Sequence, residues 1–145
     1  MAGAATERAG AVNGGPRALL RLEGAALLLV ASWAYCQVGG GWGWFAALFL
    51  LPDLALLAYL AGPAWGARAY NLTHTTLLPL GLLAAGWQAG SVAATGAALV
   101  WLAHIGLDRM LGYGLKYGSG FADTHLGTLR QPRHARAQAA TRAPQ

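Results

Sequence analysis

The stretch Leu-Val-Trp-Leu-Ala-His-Ile-Gly-Leu-Asp-Arg, residues 99–109, joins two kinds of sequence that seldom sit together. It begins as unbroken apolar chain of the kind that lies in lipid. It ends on His104, Asp108 and Arg109. His104 and Asp108 are one helical turn apart, so a helix stacks them on one face. An ionisable group inside an apolar span is costly and turns toward protein or water rather than lipid. The stretch therefore predicts a membrane-crossing helix with one polar face, and that face needs partners elsewhere in the chain.

Composition agrees with a membrane setting. Of 145 residues, 56% are hydrophobic and only 10% charged, whereas a soluble domain carries about 25% charged residues. The length suits one domain. The formal charge is +5, but the basic residues lie outside the apolar blocks and form no stripe interleaved with aromatics. That pattern excludes nucleic acid as a partner. The single cysteine, Cys36, can form no intrachain disulfide and no cysteine-type zinc site, and is read as a small packing residue. Tyr35 before it argues against a lipoprotein signal, and the spans that follow argue against a cleaved leader.

Moving outward, the chain divides into four apolar blocks, at about 22–38, 42–61, 70–86 and 91–111. Each is close to the roughly 20 residues a helix needs to cross hydrocarbon. Helices are the expected form, since strands of a barrel would be shorter and would alternate. The expected fold is all-α, a bundle of four transmembrane helices within domain 17–129. Residues 1–16 and 130–145 are expected to be disordered tails, the second one basic. Residues 112–129, rich in glycine and aromatics, are expected to form an ordered cap. Pro52 is expected to kink the second span, and Trp33, Trp65 and Trp101 to pack.

Arg8, Arg17 and Arg21 precede the first block, Arg68 lies between the second and third, and Arg109, Lys116 and the basic tail follow the fourth. The turns Gly39–Gly41 and Gly86–Gly90 carry no charge. Excess Lys and Arg mark the cytoplasmic side, so both termini are expected in the cytosol. Trp42, Trp44 and Trp87 fit an aromatic belt on the opposite face. Counted back at about 1.5 Å per residue, Asp53 lies roughly 12 Å deep, His74 about 7 Å and His104 about 10 Å, with Asp108 one turn nearer the cytosol. Four ionisable residues from three spans thus reach similar depth, and Glu23 begins the first span on the same side.

Two imidazoles and two carboxylates suit one divalent ion such as Zn, Mn or Fe. The expected ligands are Asp53, His74, His104 and Asp108. Asn71 is expected to orient His74. Arg109, Lys116 and Arg68 are expected to attract an anionic headgroup or a phosphate. Asp123 and His125 either reach the cluster from the cap or serve the turn. A metal-bound water would then act as nucleophile. Two other readings compete. The cluster could only lock helix packing, with Asp53 paired to Arg68 or Arg109 and His74 to Tyr70 or Asn71, in a non-enzymatic scaffold or assembly subunit. It could instead belong to an ion or proton conduit, although the far half offers only Ser32, Gln37, Gln88, Ser91 and Thr95, none of them ionisable. Small-residue faces would allow a homo-oligomer.

Leu51-Pro52-Asp53-Leu54, Tyr70-Asn71-Leu72-Thr73-His74, His104-x-x-x-Asp108-Arg109, and Leu111-Gly112-Tyr113-Gly114-Leu115-Lys116-Tyr117 followed by Phe121 and Thr124-His125-Leu126-Gly127 resemble a small bacterial membrane family catalogued as a domain of unknown function, number 4260. The resemblance covers roughly residues 19–129. It implies membership and a multi-pass place in the bacterial cytoplasmic membrane, and no activity. Where that family often has a second His after the one matching His74, this chain has Thr75. Pro52-Asp53, Thr73-His74 and His104-x-x-x-Asp108 also resemble, in order and rough spacing, membrane-bound metal-dependent hydrolases. That second resemblance implies hydrolysis of a phosphoester or lipid-linked substrate at the cytoplasmic leaflet.

Overall fold

The computed structural model describes residues 11–12, 14–119 and 121–128. The basic tail 130–145 and most of the expected N-terminal tail lie outside the described residues. The elements run α1 (Gly14–Gln37), α2 (Trp42–Phe49), a 3₁₀ helix (Leu51–Ala61), α3 (Pro63–His74), α4 (Leu77–Gln88) and α5 (Val92–Leu111). A small antiparallel hairpin follows, β1 (Asp123–Thr124) and β2 (Gly127–Thr128). The first helix begins at Gly14, so residues 14–16 are its first turn and not tail.

Helix α5 is the central post. Its side chains from Thr95 to Gly106 are almost all buried. Ser91 caps its start by accepting from Ala94 N, and Gly112 ends it at φ 95°, a left-handed position that suits glycine. Arg21 of α1 donates from Nε to Met110 O at 2.8 Å, satisfying a carbonyl the helix end leaves free. Helices α1 and α4 pack along α5. The α1–α5 contact is backbone to backbone: a Cβ on Gly106 would lie 2.5 Å from Leu28 N, and one on Gly24 would lie 2.6 Å from Met110 N. These small residues are used within the chain, as small-residue faces are between membrane helices.

The second apolar block changes pitch at Pro52. An α-helix runs to Phe49, and a 3₁₀ helix of 11 residues follows, which is long for that form. Its sequence fits a repeat of three. Leu51, Leu54, Leu57 and Leu60 fall in one column and are 55%, 59%, 63% and 89% exposed. Pro52, Ala55 and Ala58 form the next column, buried or half-buried, and Asp53, Leu56 and Tyr59 the third, half-buried.

The third block is not one continuous helix. Helix α3 starts at Pro63, earlier than the expected 70, and stops at His74, and α4 begins at Leu77. The cause is Pro79, which has no N–H for the Thr75 carbonyl and whose ring clashes with it. Thr75 is extended at φ −75°, ψ 142°. The break frees the Thr73 carbonyl, and the Trp101 indole donates to it at 2.6 Å. Trp101 therefore packs with a polar purpose, while Trp33 and Trp65 are exposed rather than packed. Cys36 is exposed as well.

Among the described residues, Gly14–Gln37 and Trp42–Ala61 are long and apolar enough to cross a membrane. Of the other two expected spans, one is divided at Thr75–Thr76 and the other, α5, carries His104, Asp108 and Arg109. Many large apolar side chains face outward, among them Trp44, Leu77 and Trp87.

Candidate metal centre

Three elements deliver the cluster. Asp53 enters at the start of the 3₁₀ helix, beside Pro52. His74 is the last residue of α3, where the Pro79 break stops the helix. His104 and Asp108 come from one face of α5. Thr73 ties the first two elements, its Oγ1 donating among nearby carbonyls that include Pro52 O at 3.3 Å.

The donor atoms converge. His74 Nε2 and His104 Nε2 are 3.0 Å apart. Asp53 Oδ1 is 3.5 Å from each of them. Asp108 Oδ2 is 3.4 Å from His74 Nε2. One ligand atom from each of the four residues lies within 4.8 Å of every other. Zinc bonds of about 2.0–2.1 Å in a tetrahedron require ligand atoms roughly 3.3 Å apart. Four of the six spacings straddle that value, and all six fall within 4.8 Å.

The imidazoles are oriented by what surrounds them. His74 Nδ1 faces the Tyr70 carbonyl at 2.9 Å, which holds its proton there and leaves Nε2 as a lone pair toward the cluster. Tyr70 also stacks on the His74 ring, centroids 3.6 Å apart and planes 11° from parallel. Its hydroxyl donates to Asp108 Oδ2 at 2.6 Å. Phe49 packs edge-on against His104 at 5.3 Å, and His104 Nδ1 is buried without a partner among the described residues. The side chains open in order: His74 is 3% exposed, Asp108 17% and Asp53 39%.

Asn71 does not orient His74. Its amide is taken up by the backbone of Lys116, donating to Lys116 O at 2.8 Å and accepting from Lys116 N at 2.7 Å. It mimics a neighbouring strand and clamps the segment after α5 onto α3. The Lys116 side chain is 4% exposed. Its Nζ donates to Phe121 O at 3.0 Å and lies 3.7 Å from the Phe121 ring centroid and 4.5 Å from that of Tyr70. Since His74 covers one face of Tyr70, Lys116 lies against the other. Burial lowers the ammonium's pKa, while Asp108 and Asp53 pull it back up.

Arg68 lies over the Trp65 ring at 5.3 Å. Arg109 lines, with His74 and Asp108, a small cavity beside the cluster. Asp123 and His125 serve the hairpin. Asp123 accepts from Ser119 Oγ at 3.0 Å and its carbonyl from Tyr117 N. His125 Nδ1 accepts from Leu115 N at 2.8 Å, and its own N–H donates to Leu115 O. Burial pushes the His125 imidazole below its ordinary pKa, and the nearby Arg109 charge adds to this. Sequence reading offered Tyr70 only as a possible partner of His74, and not its stacking on that ring or its bond to Asp108. Its place four residues before His74 was the available signal.

The fold and cluster define a class: an all-helical chain with two helices able to cross a membrane and a His/Asp set able to hold a metal ion. The chain belongs to the family described as domain of unknown function (DUF4260), whose model matches residues 17–129. No curated protein and no solved structure matches it. The resemblance to metal-dependent hydrolases therefore rests on three short motifs alone.

Proposed function

We propose that this is a multi-pass membrane protein holding one divalent transition-metal ion between Asp53, His74, His104 and Asp108, and that the ion serves hydrolysis of a phosphoester or lipid-linked bond. The observation that carries the metal reading is the spacing of the four donor atoms, 3.0 to 3.5 Å over the four measured pairs. Two imidazoles and two carboxylates suit zinc, iron or manganese. An ion would also offset the cost of holding two carboxylates in a mostly buried setting. His74, His104 and Asp108 are the sheltered ligands, and Asp53 stands at the mouth. For catalysis a water would enter as a fifth ligand or in place of Asp53, the exposed member of the set, and the ion would bring that water's pKa down to about 7. Water oxygen would bond to phosphorus, the ester P–O bond would break, and the leaving alcohol would take up the proton that the water gives up.

The site belongs in the cytoplasmic half. Arg17, Arg21, Arg68, Arg109 and Lys116 all cluster toward its end of the chain's apolar blocks.

One observation favours a second reading, a polar lock with no ion. The 3.0 Å contact between the imidazoles can be a hydrogen bond, His104 Nε2 donating to His74 Nε2. His104 Nδ1 would then be an unpaired lone pair, which costs less than an unpaired N–H.

Elemental analysis of protein purified in detergent without added metal separates the two. The metal reading expects close to one ion per chain, lost in both His74→Ala and His104→Ala. Metal-free protein that takes up neither zinc, iron nor manganese, and whose thermal stability collapses in both variants, would establish the lock.

A further inference from the structure

We infer that the metal position is reached sideways from the bilayer, and that its ligand is a membrane amphiphile carrying a phosphate-type oxyanion. This rests on the metal reading above. Both imidazoles are sealed, and Asp53 is the ligand with the greatest exposure, 39%. Asp53 directly precedes Leu54 in the 3₁₀ helix. In a helix of three residues per turn, its column therefore runs beside the exposed column Leu51, Leu54, Leu57, Leu60. Leu56 follows Asp53 in its own column and Tyr59 follows Leu56, and Tyr59 meets Phe121 of the hairpin region edge-on at 5.4 Å. Phe121 is itself half exposed. The exposed surface that runs along the 3₁₀ helix beside Asp53 is thus leucine, and it ends near an aromatic pair. A hydrated solute gains nothing there, whereas an acyl chain gains apolar contact.

The hairpin side is closed. Lys116, Thr124 and Leu126 are buried, and the hydrogen bonds of Asn71 hold Lys116 down. The cavity that touches both His74 and Asp108 on that side has a volume of about 10 Å³, room for about one water and nothing larger.

Charge selects the headgroup. A divalent ion cancels the two carboxylates, and the buried Lys116 ammonium, with Phe121 O as its one hydrogen-bond acceptor among the described residues, leaves a net positive site. An oxyanion on the ion completes the balance, and both a lipid phosphate and free phosphate offer that chemistry.

Cobalt(II) in place of the native ion gives a visible spectrum that reports its ligands. Loaded protein in dodecyl maltoside would be titrated with dioleoyl phosphatidic acid, inorganic phosphate or dioleoyl phosphatidylcholine. The expected result is a saturable band shift with phosphatidic acid at a concentration at least tenfold below that for inorganic phosphate, and none with phosphatidylcholine. Leu54→Gln, an exposed position, should take up cobalt with the same starting spectrum but need about tenfold more phosphatidic acid. Inorganic phosphate acting as well as the lipid, no shift with either, an equal shift with phosphatidylcholine, or an unaltered titration in Leu54→Gln would each overturn the sideways path. Protein that binds no cobalt would overturn the metal reading itself, which is a separate outcome.

Discussion

Tyr70 does three things from one position on α3. Its carbonyl fixes the His74 tautomer, its ring stacks on the His74 imidazole, and its hydroxyl holds Asp108. Tyr70→Phe removes only the last of these. The variant should fold, and its affinity for zinc should fall about 10- to 100-fold, the usual effect of losing an outer-shell partner of a metal ligand. Competition against a chromophoric chelator measures this, and unchanged affinity would detach Tyr70 from the ion. The four clustered residues could be picked out from sequence because an aspartate or histidine is conspicuous in apolar chain. Asn71 could not be placed, since its partner Lys116 lies 45 residues away, and an amide beside a histidine looks the same whichever way it points. Arg109 could be set near the cluster from its place beside Asp108, whereas the stacking of Arg68 on Trp65 needed the fold.

At the scale of elements, two features were written in the chain and hidden by its hydrophobicity. Pro79 breaks the third block four residues after Thr75, and a repeat of three leucine-bearing positions after Pro52 favours the 3₁₀ helix. Both lie in runs so apolar that an unbroken span accounts for them equally well. The glycines are more telling. Gly106→Ala would force its new methyl against Leu28 N of α1, backbone that cannot rotate away. It should cost about 1–3 kcal/mol, as overpacking does. Gly43, with nothing within 4 Å, should accept alanine with a change within about ±0.5 kcal/mol. Thermal melts of the two variants in one detergent test the pair. The hairpin carries a pH dependence of its own. Its folded form lowers the pKa of His125, so the undocked segment binds the proton more readily. Docking is then complete above the free value of about 6.5 and weakens as pH falls below it. Amide exchange at Leu115, corrected for intrinsic rate, should quicken between pH 7.5 and 5.5 in the native protein, and His125→Gln should flatten that response.

For the molecule as a whole, burial is inverted relative to a soluble domain. The helix with His104, Asp108 and Arg109 is the buried one, while α1, α2, the 3₁₀ helix and α4 turn Leu29, Trp44, Leu60 and Leu77 outward. Exposed apolar side chains of this kind, when contiguous, mark a surface that meets lipid or a partner. Dimensions agree with an apolar slab. Helix α5, with 20 residues, is about 30 Å long at 1.5 Å per residue. The 8 α-helical and 11 3₁₀ residues of the second block add to about 34 Å, the 3₁₀ part rising about 2.0 Å per residue. Hydrocarbon is about 30 Å thick. Packing a polar strip around one post and giving leucine to the outside is stable only where the surroundings are apolar, since in water the same surface drives association. The protein should therefore stay in the membrane pellet after an alkaline carbonate wash and be released by dodecyl maltoside. Recovery of monomeric protein in the detergent-free supernatant would mean that those leucines are covered by something other than lipid, and the sideways approach to Asp53 would lose its physical basis.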